Sequence, residues 1–388
     1  MSTTVHPKSV VDLLREMVAI DTVNSNYSLR KFPESRLTDY LEKTASEAGF
    51  ETRRMVVPEQ GENLIVTYRV SPNAPWLMFE SHLDTVVVDG MTIDPFGATI
   101  HSGRIWGRGS CDTKGTGAAM FCALQRYAAQ GGQNNIAIAY TVDEEYGMTG
   151  VRALIRDWSS LGFNPVGVIV GEPTRLRPIV AHNGAVRWRI VTRGIAAHAA
   201  DPSKGRSAIS DMMRIVDAIE SRYIPSLKAR HELTGKAQCS INQIKGGSQI
   251  NIIPAECEVR IDRRVVPGEN PESVLPDVAV LLDEVRVSRP GMEIEQHLLF
   301  SCPPLTTKHN ASLLQTVQAT LSTMSLDGTA GGVPYATDAG GLDVAGIPAV
   351  VIGPGDIAQA HTKDEYLELD QLHRGVDLYF ELMRAKLR

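Results

Sequence analysis

The stretch FESHLDTVVV, Phe79 to Val88, sets a histidine and an aspartate two residues apart at the end of an apolar run. In an extended segment residues i and i+2 point to the same side. His82 and Asp84 would therefore face one spot. Either they hydrogen-bond each other in a structural corner, or the histidine holds something and the aspartate orients it. Residues of the same character follow the other apolar runs. Asp143, Glu144 and Glu145 follow NIAIAYTV, Glu172 follows PVGVIVG, and His361 lies beyond IPAVVIG. Asp112 sits in the glycine-rich WGRGSCDTKG, just ahead of a helical pattern. Taken singly, each reads as a solvated loop residue or a cap. In open α/β sheets, however, ligands bind beyond the carboxyl ends of the strands. Two histidines and several carboxylates converging there without a cysteine suit a borderline divalent metal, zinc first, with cobalt or manganese as alternatives.

These residues need a scaffold, and the texture of the chain supplies one. NLIVTYRV, PWLMFES, NIAIAYTV and PVGVIVG are dense apolar runs of the kind that form strands buried on both faces. SRLTDYLEKTASEAG and GTGAAMFCALQRYAAQGG have helical character between them. The first half thus reads as an α/β layered domain. From about Ala185 the strands alternate instead: AVRWRIVTR, AQCSINQIK, ECEVRIDRRV and MEIEQHLLF, with two helices among them. The order β-α-β-β-α-β is that of a ferredoxin-like sandwich. The α/β pattern then resumes. The expected fold class is α/β: a catalytic domain, residues 1–180 and 297–388, with a mixed, mostly parallel sheet between helices. Residues 181–296 form an inserted ferredoxin-like α+β domain.

Composition narrows the classes of function. A net charge of −6 gives no general attraction to nucleic acid or to anionic membranes. No apolar run approaches the length of a membrane span. The N-terminal segment has helical spacing rather than a signal peptide's continuous apolar core. Five scattered cysteines with no CxxC pair form neither a disulfide framework nor a cysteine zinc site. The expected location is cytoplasmic. GRGSCDTKGTG lacks the G-K-[ST] of a phosphate-binding loop and the spacing of a dinucleotide fingerprint.

The motifs SHLDTV, GRGSCDTKG, TVDEEYG, GEPT, NIIP and GPGDIAQAHTKDEYL resemble those of a di-zinc amidohydrolase family. That family includes acetylornithine deacetylase, succinyl-diaminopimelate desuccinylase, aminoacylase and carboxypeptidase G. The resemblance covers nearly the whole chain, and its wording is nearest to the acetylornithine deacetylases. It implies two divalent metal ions. His82 and Glu172 would hold one, Glu145 and His361 the other, and Asp112 would bridge them. Asp84 would orient His82, and Glu144 would be the general base. The Asp112–Thr113 peptide would be cis. The inserted domain would serve as lid and as the contact of a homodimer. His198 would reach the partner subunit's active site, and Asn251 and Arg264 would bind the carboxylate end of the substrate. Arg263, adjacent to Arg264, would point to the opposite strand face. Ala199 and Ala200 depart from the pattern, where serine is common.

The implied activity is hydrolysis of the amide bond of an N-acyl-L-amino acid or a short peptide, with no nucleic-acid or membrane partner. Two alternatives stand beside deacylation. One is a di- or tripeptidase or carboxypeptidase using the same centre. The other is an inactive relative that serves as a binding protein, and the full ligand set with Glu144 argues against it.

Overall fold

The apolar runs become strands of one eight-stranded sheet in the computed structural model, which describes residues 9–387. The strand order is Glu51–Val57, Gly61–Tyr68, Asn135–Thr141, Trp76–His82, Pro165–Val170, Ala349–Val351, Ile179–His182 and Gly331–Val333. The middle four run parallel, whereas the pairs at the Glu51–Val57 end are antiparallel. Trp76–His82 and Asn135–Thr141 are buried along their whole length. That is why they read as continuous apolar runs rather than alternating ones.

Helices Val10–Val18, Lys114–Gln130 and Leu369–Arg384 pack together against this sheet. Lys114–Gln130 presents small residues to it. A Cβ on Gly117 would lie 3.1 Å from both Ser81 Oγ and the Tyr140 ring. Leu13, Leu14, Phe79, Phe121, Leu124, Tyr140 and Phe380 are fully enclosed in the resulting core. Each side chain of this size stabilises the unit by about 1.5–3 kcal/mol on burial.

Parallelism is what builds the site. All four central strands deliver their carboxyl ends to the same edge. The register His82↔Thr141 and Glu80↔Val170 sets the residues after each strand side by side.

The chain divides into two compact units, residues up to Val180 with Thr307–Gly331 and Thr337 onward, and Ala181–Thr306 with Gly332–Ala336. The second has its own four-stranded antiparallel sheet, in the order Gln238–Gly246, Glu256–Val265, Gly184–Arg193, Glu293–Cys302. Helices Ala208–Ala218 and Val274–Ser288 cover its apolar face. The first of these ends in a π turn, Ile219–Tyr223. The return to the first unit lies near Thr306 rather than at residue 297. The last strand stays paired to its neighbour as far as Cys302↔Ala185, so the chain cannot leave the sheet earlier. Among the described residues, no helix is long and apolar enough to cross a membrane.

Candidate metal centre

At the carboxyl edge of the first unit's sheet two groups of ligand atoms form. His82, Asp112 and Glu172 make one, and Asp112, Glu145 and His361 the other, each with its atoms within 4.8 Å of one another. Asp112 belongs to both. Its Oδ1 lies 3.1 Å from His82 Nε2 and its Oδ2 lies 3.3 Å from His361 Nε2. Glu172 Oε1 is 3.9 Å from His82 Nε2, and Glu145 is 3.1 Å from His361 Nε2. His82, Asp112 and Glu172 are buried, whereas the His361 side chain is 52% exposed. The second group therefore has the more open side.

Local structure aims each side chain. Gly109 carries φ +81°, and a Cβ there would meet Thr85 Cγ2 at 2.8 Å, so this turn before Asp112 needs glycine. The Asp112–Thr113 peptide is cis. The His82 ring is set by Asp84, chiefly through the backbone. Nδ1 lies 3.0 Å from the Asp84 carbonyl oxygen and 3.5 Å from its carboxylate. That contact fixes Nδ1 as the donor and leaves Nε2 free to bind a metal. The Asp84 carboxylate has a different main task, since it accepts the backbone N–H groups of Glu144 and Glu145 at 3.0 and 3.1 Å. The two glutamates then part company. Glu145 meets His361, while the Glu144 carboxylate takes no hydrogen bond from any described residue.

The electrostatics call for cations. Burial opposes charge on His361, but hydrogen bonds to Asp112 and Glu145 outweigh it and push the imidazole up to about 11. His82 is likewise raised against burial, by Asp112, Asp84 and Glu144. Burial, then the charge of Asp112, raises both Glu145 and Glu172. Burial, with Glu172 and Glu145 beside it, raises Glu144. Crowded carboxyls that push protons onto two histidines are the signature of a donor set built for positive charge. Two histidines, two terminal carboxylates and one shared carboxylate fit a pair of divalent cations.

Residues 78–385 match the model of Peptidase family M20/M25/M40. The chain belongs to that family. It is thereby a metal-dependent hydrolase of amide bonds. Curated relatives include the acetylornithine deacetylases of Myxococcus xanthus, 29% identical with 93% of each chain covered, and of Salmonella typhimurium, 29% identical with 92% of each covered. Among solved structures, a tripeptidase from Staphylococcus aureus superposes with a TM-score of 0.77 at 22% identity, covering 97% of each chain.

The remaining expected site residues, His198, Asn251 and Arg264, lie in the second unit. His198 is exposed and pairs with Ile252 across a two-residue ladder. Asn251 is next to it, its carbonyl accepting the Ala199 N–H at 2.9 Å. Arg264 is partly exposed and its guanidinium is held by Asp262 at 2.7 Å. Arg263 is on the helix-facing side of the same strand, 3% exposed and ion-paired to Glu269 at 2.6 Å. Of the two arginines only Arg264 faces away from that core.

Arg108 and Glu365 were not among the expected site residues. Glu365 Oε1 accepts the N–H groups of Cys111 and Asp112 at 2.9 and 3.0 Å, and its Oε2 pairs with Arg108 at 2.7 Å. Arg108 also donates to the Thr362 carbonyl, next to His361. Both are buried. One ion pair thus steadies Asp112, which both groups share, and the loop that carries His361. A signal was present: both residues lie inside the motifs that carry Asp112 and His361, four residues from each.

Proposed function

We propose that the chain removes the acyl group from an N-acyl-L-amino acid, in the manner of an acetylornithine deacetylase, using two zinc ions and Glu144 as general base. The observation that carries this reading is the division of labour around Asp112. Its two oxygens face two histidines, Glu145 and Glu172 complete the groups, and Glu144 stands beside them uncommitted. When bound, the cations would lower the pKa of a water toward about 7 and polarise the scissile carbonyl. Glu144 accepts the proton that the water gives up and delivers it to the leaving nitrogen. Asp84 holds the turn that aims Glu144. Asn251 and Arg264 are proposed to bind the substrate carboxylate, for which a guanidinium fork is suited.

Deacylation is preferred to peptide hydrolysis because three curated relatives that match over nine-tenths of the chain are acetylornithine deacetylases. The aminopeptidase structure from Bacillus cereus and the tripeptidase structure are 21% and 22% identical and speak to fold alone. A cytoplasmic location and a homodimer belong to the same proposal. The strand Gln238–Gly246 is an edge of its sheet, with Ile244 57% exposed, and a second copy would cover it. In that dimer His198 would serve the partner's site and stabilise the developing oxyanion.

The test is a panel of N-acetyl- and N-succinyl-amino acids, dipeptides and tripeptides, assayed with added zinc or cobalt. Turnover of N-acetyl-amino acids well above that of peptides is expected. Peptide cleavage without deacylation would replace this reading with the peptidase one.

A further inference from the structure

Asn24 lies behind the Glu144–Glu145 turn and is wholly buried. Its amide nitrogen donates to Asp84 Oδ2 at 2.8 Å and to Asp143 Oδ1 at 2.9 Å. Its oxygen accepts the Asn26 N–H at 3.0 Å, capping the short helix Ser25–Ser28. Two carboxylates on one side and an N–H on the other fix which end of the amide is nitrogen. The side chain is therefore held at both ends, and its backbone is held too, by the Asn24 N–H to Thr85 carbonyl bond at 2.9 Å.

Both acceptors control the same turn. Asp84 receives the N–H groups of Glu144 and Glu145. Asp143 is the pivot from which that turn departs. It adopts φ +61°, a left-handed conformation unusual for a residue with a side chain. Its Oδ2 is held by Thr149 Oγ1 at 2.6 Å, and its carbonyl accepts the Gly147 and Met148 N–H groups. Asp84 and Asp143 are both buried and would repel if left alone. A third carboxyl, Glu34, is enclosed near them. A neutral group with two donors on one atom satisfies this arrangement, and an asparagine amide has that form.

We propose that Asn24 is a positioning residue of the reaction, tying Asp84 to Asp143 and so fixing the turn that aims Glu144 and Glu145. This rests on the reading of Glu144 as base and Glu145 as metal ligand. Asn24 itself belongs to neither group of metal-ligand atoms.

The substitution Asn24→Asp separates this role from helix capping. An aspartate keeps the oxygen that caps Asn26 but loses both donors. The double variant Asn24→Asp/Asp143→Asn exchanges donor and acceptor and restores one of the two bonds. Asparagine also tolerates the left-handed conformation at position 143. Two quantities are measured: kcat and KM on the best substrate of the panel, and zinc ions retained per chain after dialysis against a weak chelator. For Asn24→Asp, kcat falls about 10–100-fold with KM nearly unchanged, and one ion is lost sooner than from the wild type. The double variant recovers part of both losses. Wild-type kcat and ion retention in Asn24→Asp would overturn the proposal and leave Asn24 as a helix cap. A double variant no better than Asn24→Asp would overturn it as well. If the wild type turns over no amide in the panel, the deacylation reading fails while the ion counts still decide the role of Asn24. Asn24→Ser, with one donor in place of two, replaces Asn24→Asp should the latter not fold.

Discussion

The carboxylate of Asp84 accepts the backbone N–H of Glu144 at 3.0 Å, and the same group accepts that of Glu145 at 3.1 Å. An aspartate on one strand end thus holds the turn at the end of the neighbouring strand. Its carboxylate is 3.5 Å from the His82 ring, whose nearer partner is the Asp84 carbonyl. Asp84→Asn leaves that carbonyl in place and weakens the grip on the turn. It should lower kcat about 10–100-fold. It should also loosen the ion at Glu145 and His361 before the one at His82. Metal titration of the variant checks this, and loss of the His82-site ion first would show that the carboxylate acts mainly on the ring.

Arg108 and Glu365 form a buried ion pair, 2.7 Å apart. Removing one partner of such a pair strands the other charge, which costs about 3–5 kcal/mol. Arg108→Met should lower the urea midpoint accordingly. Arg108→Met/Glu365→Gln should be more stable than the single variant, because a glutamine oxygen can still accept the Cys111 and Asp112 N–H groups. Equal stability of the two variants would mean that the charge on Glu365 is relieved elsewhere.

Glu34 gives a pH signature. Burial, then the charges of Asp84 and Asp143, pushes its carboxyl up to about 8 from 4.5. Between those values the folded chain keeps a proton that the unfolded chain has released. Stability from this group is therefore full below about pH 4.5 and is lost as pH rises through about 8. Glu34→Gln cannot ionise and does not share the loss. In metal-stripped protein its Tm should gain on the wild type steadily from pH 5 to pH 8. Parallel Tm curves would show that Glu34 is not held protonated.

The proposed dimer makes its own prediction. His198→Ala and Glu144→Gln should each be nearly inactive. A mixed dimer of the two should regain activity, because one of its sites then has both an intact Glu144 and the partner's histidine. Differently tagged chains confirm subunit exchange. Confirmed mixed dimers without activity would place His198 in its own chain's chemistry or outside it.

Much of this was legible in the sequence, and for physical reasons. Strands buried on both faces must be apolar throughout, so Trp76–His82 and Asn135–Thr141 stand out, and the polar residues after them become conspicuous. The alternation in Glu256–Val265 announced a sheet with one covered face, down to the buried odd positions. What stayed hidden were the residues that act through backbone groups. Glu365 reads as one more loop acid, and its value comes from N–H groups some 250 positions away. Asn24 reads as a helix cap, which it also is, and nothing local announces that its other end joins two carboxylates. The domain return near Thr306 was missed because the end of an edge strand depends on its pairing, not on its own composition.

The proposed function turns on adjacent glutamates dividing the work, Glu145 holding metal and Glu144 moving the proton. The most direct measurement is metal content together with kcat for Glu144→Gln, with Glu145→Gln beside it. Glu144→Gln should retain two ions per chain and lose about 10²–10⁴-fold in kcat, as expected for a missing general base. Glu145→Gln should instead lose an ion and become sensitive to chelator. Near-normal turnover by Glu144→Gln, or loss of an ion from it, would contradict the account.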